Sequence, residues 1–183
     1  AKPHKYTNMD AIDISNIKYR PIIDQPNTYT NYTAKVISDY LNPLRYNKYT
    51  IKDTQVFANN IKLLPPLKEN EEDVSYDVES LFTNIPIKDT IKYILDQIYK
   101  KGKVTPICSK IIFKRLLEKL MVEVKFTLNG VLYKQIDGCT MGGPLSVTMA
   151  DIFMVKMEND IVERSKPIFY CRYVDDIFIR RLK

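Results

Sequence analysis

The run Phe169-Tyr170-Cys171-Arg172-Tyr173-Val174-Asp175-Asp176-Ile177-Phe178-Ile179 reads as one apolar strand interrupted by two adjacent carboxylates. Asp is a poor strand former, and neighbouring negative charges raise each other's cost of ionisation. Successive strand residues face opposite sides of a sheet, so two carboxylates serving one site require a turn at the pair. The run therefore predicts a hairpin with Asp175 and Asp176 at its tip. Such a tip is either an ordinary turn that uses Asp for its turn propensity, or a device that brings two charges to a shared site.

Asp77 adds a third carboxylate, near the end of another β-prone run, Val74-Ser75-Tyr76-Asp77-Val78. Three carboxylates on adjacent strand ends would make a hard, all-oxygen site suited to Mg²⁺ or Mn²⁺ rather than zinc. Two such ions could activate a primer 3′-hydroxyl and neutralise a leaving pyrophosphate in an in-line displacement. That chemistry needs no His or Cys base, in keeping with a chain whose one histidine is His4 near the start. Cys108, Cys139 and Cys171 are widely spaced and odd in number, with no Cys/His ligand pattern, and read as three reduced thiols of an intracellular protein.

The rest of the pattern mixes helices with short, non-adjacent strands. Residues 1–25 are basic, irregular and punctuated by proline. Helical spacing of Tyr29, Tyr32, Val36, Ile37, Tyr40 and Leu41 predicts a helix over 27–41, stopped by Pro43. A second helix is expected over 53–64, capped by Asp53 or Thr54 and ended by Pro65-Pro66. The acidic cluster 69–73 leads into a strand at 74–78, and a turn at 81–86 precedes a helix over 87–101 ended by Gly102. Another helix is expected over 106–122, with Pro106 in its first turn. Asn129-Gly130 between two alternating runs predicts a hairpin. A glycine-rich turn at 138–143 and a long helix over 144–164 follow, in which Met149, Phe153, Met154 and Met157 read as core. The order implies an α+β fold, an antiparallel sheet with helices on one face.

Composition is consistent with a packed chain that meets an anion. The 183 residues are 45% hydrophobic and 27% charged, with a net charge of +6 and a pI near 9.1. That balance is globular rather than disordered, and the charge admits a nucleic-acid partner without requiring one. No apolar run of 18 or more residues occurs, so no membrane span is expected.

Taken together, the motifs resemble those of reverse transcriptases. Tyr173-Val174-Asp175-Asp176 resembles the family's catalytic box, and the segment from Ser75 to Pro86 resembles the palm's first Asp motif. Asp77-Val78-Glu79-Ser80-Leu81-Phe82-Thr83-Asn84-Ile85-Pro86 is similar to the Penelope-like retroelements in particular. So are Phe126-Thr127-Leu128-Asn129-Gly130, the stretch from Tyr133 to Leu145, and Arg172-Tyr173-Val174-Asp175-Asp176-Ile177-Phe178. Lys18-Tyr19-Arg20-Pro21-Ile22 resembles the fingers motif, so that the likeness runs over residues 18–179.

The resemblance implies a right-hand polymerase, with a fingers portion at 1–67 and a palm portion at 68–183. Family members continue with the rest of the palm, a thumb and often a GIY-YIG endonuclease domain, none of which follows Lys183. By the same likeness, Asp77 and Asp175 are the principal ligands of two Mg²⁺ or Mn²⁺ ions, Asp176 the third acid and the Val78 carbonyl a backbone ligand. Lys18 and Arg20 would contact the incoming triphosphate, together with Ser80, Leu81, Phe82, Met141 and Gly142 around the nucleotide. Phe82 falls at the steric gate that would exclude a 2′-hydroxyl; the alternative, a simple core ring, would leave sugar selectivity unexplained. Tyr173, Gly143 and Pro144 would meet primer and template. Gly143 stands where the family commonly has Ser or Thr, which removes a hydroxyl and adds flexibility, whereas Met141 in place of the Gln of many other reverse transcriptases suits the Penelope-like group.

The activity implied is RNA-directed DNA synthesis from dNTPs, on an RNA template with a DNA primer. The setting implied is intracellular, in the nucleus where a retrotransposon integrates. Two other readings stand beside it: a truncated, inactive element copy that at most binds nucleic acid, and a non-catalytic nucleic-acid-binding protein that uses only its basic surface. The complete Asp triad argues against decay at the site, and the binding protein leaves the carboxylates without a purpose.

Overall fold

In a computed structural model the described residues are 29–121, 125–128, 131–134 and 138–183. Lys18, Arg20 and the rest of the fingers motif lie outside them.

Helix α1 spans Tyr29–Tyr40, and a short 3₁₀ turn, Asn42–Leu44, carries Pro43 in its first residues. Helix α2 spans Thr54–Lys62, and the Asp53 carboxylate accepts a hydrogen bond of 2.8 Å from the Val56 N–H. That cap satisfies one of the donors a helix start leaves orphaned.

Strand β1, Glu71–Asp77, begins earlier than the apolar pattern suggests. The acidic residues join the ladder because cations stand directly opposite them. Asp73 faces Arg180 and Glu72 faces Arg181 across the antiparallel register. Arg180 donates from Nε and Nη2 to the two Asp73 oxygens at 2.7 and 2.8 Å, and Arg181 Nε donates to Glu72 at 2.8 Å. Opposed charges offset the poor strand propensity of the acids.

The hydrogen bonds from Arg180 hold the Asp73 carboxyl below its usual range. A depressed folded-state pKa means that this stabilisation is complete above the unfolded value of about 3.9 and is lost as pH falls through the folded one. An Asp73→Asn variant should therefore melt below the native chain at neutral pH, with the gap closing below about pH 4 in a Tm-against-pH series.

Helix α3, Leu81–Asn84, turns the chain into α4, Ile87–Tyr99, after which Gly102 takes a left-handed φ of 62°. Ile87, Ile91, Ile94, Leu95 and Ile98 line the buried stripe of α4. Each such side chain contributes about 1.5–3 kcal/mol when removed from water. They pack on Phe113, Leu117 and Met121 of α5 and on Met149, Ile152 and Met154 of α6.

Helix α5 is Lys110–Met121, so Pro106 lies before it rather than in its first turn. The connecting segment is held in place from outside. The Tyr40 hydroxyl donates to the Thr105 carbonyl at 2.8 Å, and the Tyr99 hydroxyl donates to that of Cys108 at 2.7 Å. Carbonyls engaged by distant tyrosines satisfy this backbone without helix hydrogen bonds.

Strands β2, Lys125–Leu128, and β3, Val131–Lys134, form the antiparallel pair expected around Asn129-Gly130. Helix α6 runs over Ser146–Ser165, followed by β4, Phe169–Tyr173, and β5, Asp176–Leu182. The second sheet is antiparallel in the order β1-β5-β4. Outside β4 the chain at 49–51 adds a short parallel bridge, in which the Arg172 N–H donates to the Tyr49 carbonyl and the Ile51 N–H donates to that of Arg172, both at 2.9 Å.

The sheet has two unlike faces. Residues directly opposite one another share a face, so Asp73, Ser75 and Asp77 lie with Arg180, Phe178 and Asp176, and with Phe169, Cys171 and Tyr173. Helix α2 reaches this face through an edge-to-face contact of Phe57 with Phe178, 5.6 Å between centroids. Ile177 packs against the hydrophobic core on the other face, where α6 meets Tyr170 and Arg172 through Glu158.

Cys139 and Cys171 are buried free thiols, and burial pushes them up to about 12 and about 11, which makes both poor nucleophiles. Cys108 is also a free thiol.

Candidate active site

The open end of the three-stranded sheet gathers the carboxylates. Asp77, the last residue of β1, stands directly opposite Asp176, the first residue of β5, and Asp176 in turn stands opposite Tyr173. Directly opposed residues of an antiparallel pair have Cα atoms about 4.5–5.5 Å apart.

Val174 and Asp175 form the two-residue turn, so the tip lies one residue earlier than a tip at Asp175-Asp176. Asp176 is a strand residue. The physical reason is cross-strand pairing: Asp176 is fixed in register by both Tyr173 and Asp77. The Val78 N–H donates to the Asp175 carbonyl at 3.1 Å, which ties the tip to the end of β1.

The turn is strained. Val174 has a φ of 55°, while Asp175 is not left-handed. That is the φ pattern of a type II′ hairpin turn, whose first position is ordinarily Gly. A β-branched residue in this region is an outlier, at a cost of about 1–3 kcal/mol.

Electrostatics at this end are one-sided. Asp77 and Asp176 are exposed and Asp175 is half-buried. Among the described residues none of the three forms an ion pair, unlike Asp73 and Glu72 further along the same strand. Like charges directly opposed across strands destabilise a sheet. Among the described residues no three His, Cys, Asp or Glu side chains stand close enough together to hold an ion by themselves. The donor set nonetheless fits a hard divalent cation: all oxygen, anionic and without a competing cationic partner among the described residues.

A second cluster starts just past Asp77. Ser80 is left-handed, with φ 55° and ψ 40°. The Leu81 side chain belongs to the buried core, and Phe82 packs against that core while staying half-buried. The Phe82 carbonyl accepts a 2.6 Å hydrogen bond from the Cys139 N–H. Gly138, with φ 70°, lies so close that a Cβ there would stand 2.4 Å from the Thr83 carbonyl oxygen. The turn at 80–83 and the glycine-rich loop are thus one unit.

Met141, Gly143 and Pro144 are half-buried and Gly142 is exposed, with φ 103°. A Cβ on Gly143 would come within 2.7 Å of both Ser146 Oγ and Thr140 Oγ1. Two neighbouring hydroxyls therefore occupy the space that Ser or Thr would need at 143.

An apolar cavity of about 250 Å³ lies on the Asp176 face beside Tyr173, lined also by Ile51, Phe57, Cys171 and Phe178. Sequence reasoning attached no role to Glu158 or Asp151, and took Arg172 only as part of a motif. The signal was present: Asp151 and Glu158 occupy the apolar stripe of α6 with Val155 and Val162, and Arg172 sits mid-strand among apolar residues. A charge on a buried stripe demands a buried partner.

The family model for reverse transcriptase (RNA-dependent DNA polymerase) matches residues 5–180. Among solved structures, the chain is similar to apo telomerase from Candida tropicalis truncated from its C-terminal domain, with a TM-score of 0.55 and 16% identity over 84% of this chain and 34% of that one. A second apo telomerase structure from the same organism gives a TM-score of 0.54 and 18% identity, covering 84% and 32%. The likeness shows the fold, that of polymerase fingers and palm, and the chain spans about a third of the length of these telomerase chains. The search of curated protein sequences gives no match. A family match that runs through all three carboxylates and nearly the whole chain makes this protein a member of the reverse transcriptase family.

Proposed function

We propose that the chain is the fingers (1–67) and palm (68–183) portion of an RNA-directed DNA polymerase from a retrotransposon of the Penelope-like kind. The observation that carries this reading is the collection of Asp77, Asp175 and Asp176 at one sheet end, two of them opposed and none ion-paired with a described residue. Fold stability alone would not favour that arrangement. The net charge of +6 suits an RNA template and a DNA primer.

Two Mg²⁺ or Mn²⁺ ions held by Asp77, Asp175 and Asp176, with the Val78 carbonyl, would supply charge neutralisation at the transferred phosphate and the leaving pyrophosphate. The chain's own residues bind and align. Lys18 and Arg20 grip the triphosphate, Arg by its planar fork and Lys as a point charge. Ser80, Leu81, Met141 and Gly142 border the nucleotide, Leu81 through its backbone because its side chain is core. Tyr173, Gly143 and Pro144 meet primer and template. Most of the acceleration comes from positioning and from electrostatic stabilisation of the transition state. The protein works in the nucleus, where the element integrates.

Primer extension on an RNA template with dNTPs and Mg²⁺, by the full-length protein that carries this chain, tests the reading. Extension should stop on chelation while salt-sensitive template binding persists. Binding without any extension, by a folded protein, would favour the truncated, inactive copy instead.

Phe82 makes a separate prediction. Its ring, set by the 80–83 turn and the Cys139 hydrogen bond, excludes a ribose 2′-hydroxyl. Phe82→Ala should raise the rNTP-to-dNTP ratio of kcat/KM by about tenfold or more. Unchanged discrimination in single-nucleotide incorporation assays would make Phe82 simply a core residue.

A further inference from the structure

Behind the Val174–Asp175 turn, the Arg172 side chain is completely buried. Its Nε donates to Glu158 Oε1 at 2.5 Å and its Nη2 donates to Oε2 at 3.5 Å. Nη2 also reaches Thr50 Oγ1 at 3.3 Å, and Nη1 donates to the Val174 carbonyl at 2.9 Å. Glu158, itself buried, accepts from Asn47 Nδ2 at 2.7 Å and from the Tyr170 hydroxyl at 3.3 Å. Asp151 lies 3.8 Å from Arg172 Nη1 and accepts from Arg45 Nε and Nη2 at 2.9 and 2.8 Å. The backbone of Arg172 is pinned as well, by Tyr49 and Ile51.

Four of the five N–H donors of this guanidinium thus make hydrogen bonds, one of them to the strained residue, and the fifth lies on the side of Asp151. A buried ion pair is weak grounds for stability, because an apolar replacement of similar volume is often no worse. The left-handed Val174, by contrast, persists only if its surroundings over-determine it. A charge-assisted hydrogen bond to its carbonyl does that.

We propose that Arg172, oriented by Glu158, is a positioning residue that holds the Val174–Asp175 turn in its left-handed form and so sets where Asp175 stands. The consequence for nucleotidyl transfer rests on the polymerase reading above; the pin itself does not. The guanidinium reaches from a helix-anchored carboxylate to the tip, so α6 becomes the rigid support against which the catalytic hairpin is set.

The Val78 amide reports on the turn without any catalysis, because its acceptor is the Asp175 carbonyl. Arg172→Lys keeps the buried charge and loses the fork. In this variant, Val78 amide exchange should speed up by about tenfold or more while the amides deeper in β1 and β5 stay protected. Primer extension should fall about 100-fold in kcat with KM for dNTP little changed, as for a misplaced reacting group. Adding Val174→Gly, which makes the left-handed φ free of strain, should recover part of both losses. Glue for the fold would not respond to that second change.

Unchanged Val78 exchange in Arg172→Lys, wild-type-like extension, or a loss that Val174→Gly leaves untouched would each overturn the proposal. A Val78 response in a protein that never extends a primer would support the pin and remove the polymerase reading instead.

Discussion

Asp175→Asn is expected to abolish primer extension, by about 10³-fold or more, while leaving the melting temperature unchanged. The substitution keeps the shape of the side chain and removes its charge. The Val78–Asp175 bond is made by the backbone carbonyl, so the turn survives the change.

Asp77→Asn should act the same way on extension and should raise stability slightly. It removes one of two like charges that face each other directly across β1 and β5. Such a pair costs roughly 0.2–1 kcal/mol. A gain in Tm together with a loss of activity is the signature of a site that holds charge for a ligand rather than for the fold. Salt-sensitive binding of nucleic acid should stay near native in both variants, since phosphate contacts come from cations. Extension at wild-type rates by either variant would sink the carboxylate assignment. A drop in Tm with activity preserved would return Asp175 to the role of an ordinary turn residue.

The second large effect is expected at Gly138. Its φ of 70° disfavours any side chain, and an added Cβ would stand 2.4 Å from the Thr83 carbonyl oxygen. Left-handed backbone costs about 1–2 kcal/mol for a residue with a Cβ, and forced overpacking costs about 1–3 kcal/mol. Backbone cannot rotate out of the way as a side chain can. Gly138→Ala should therefore lose about 3 kcal/mol in denaturant unfolding. It should also part the Cys139 N–H from the Phe82 carbonyl and so move the turn at 80–83. A rise in KM for dNTP in the residual folded protein is the functional readout.

Gly143→Ser makes the contrast. Its neighbours, Ser146 Oγ and Thr140 Oγ1, are ends of short side chains rather than backbone, and they can turn aside. The change should cost less than Gly138→Ala in the same unfolding experiment. Equal losses would mean that the two hydroxyls are as fixed as a carbonyl.

Much of the chain was legible because its signals are local. Asp53 caps α2 through a neighbour three residues on, Pro43 stops α1, and Asn129-Gly130 joins two strands that pair where alternation says they should. The stripe of α4 follows from helical period alone. Adjacent carboxylates in an apolar run likewise announced a hairpin, with no partner needed to see it.

Four features were decided elsewhere. The strand through Glu71–Asp77 depends on Arg180 and Arg181, with Asp73 and Arg180 separated by 107 positions in the sequence. The late start of α5 depends on two tyrosine hydroxyls, one of them on α1. The tip falls at Val174-Asp175 because Asp176 is claimed by Tyr173 on one side and Asp77 on the other. Gly143 meets hydroxyls whose positions depend on how the loop closes on α6.

The sequence by itself determined the residue types of the candidate site and the order of most elements, because charge, turn chemistry and hydrophobic period act over a few residues, and its motifs carried the resemblance to the family. Tertiary structure alone decided the register that opposes Asp77 to Asp176, and the buried guanidinium behind the turn. Both depend on pairings between distant segments, whose energies exist only once the chain has closed.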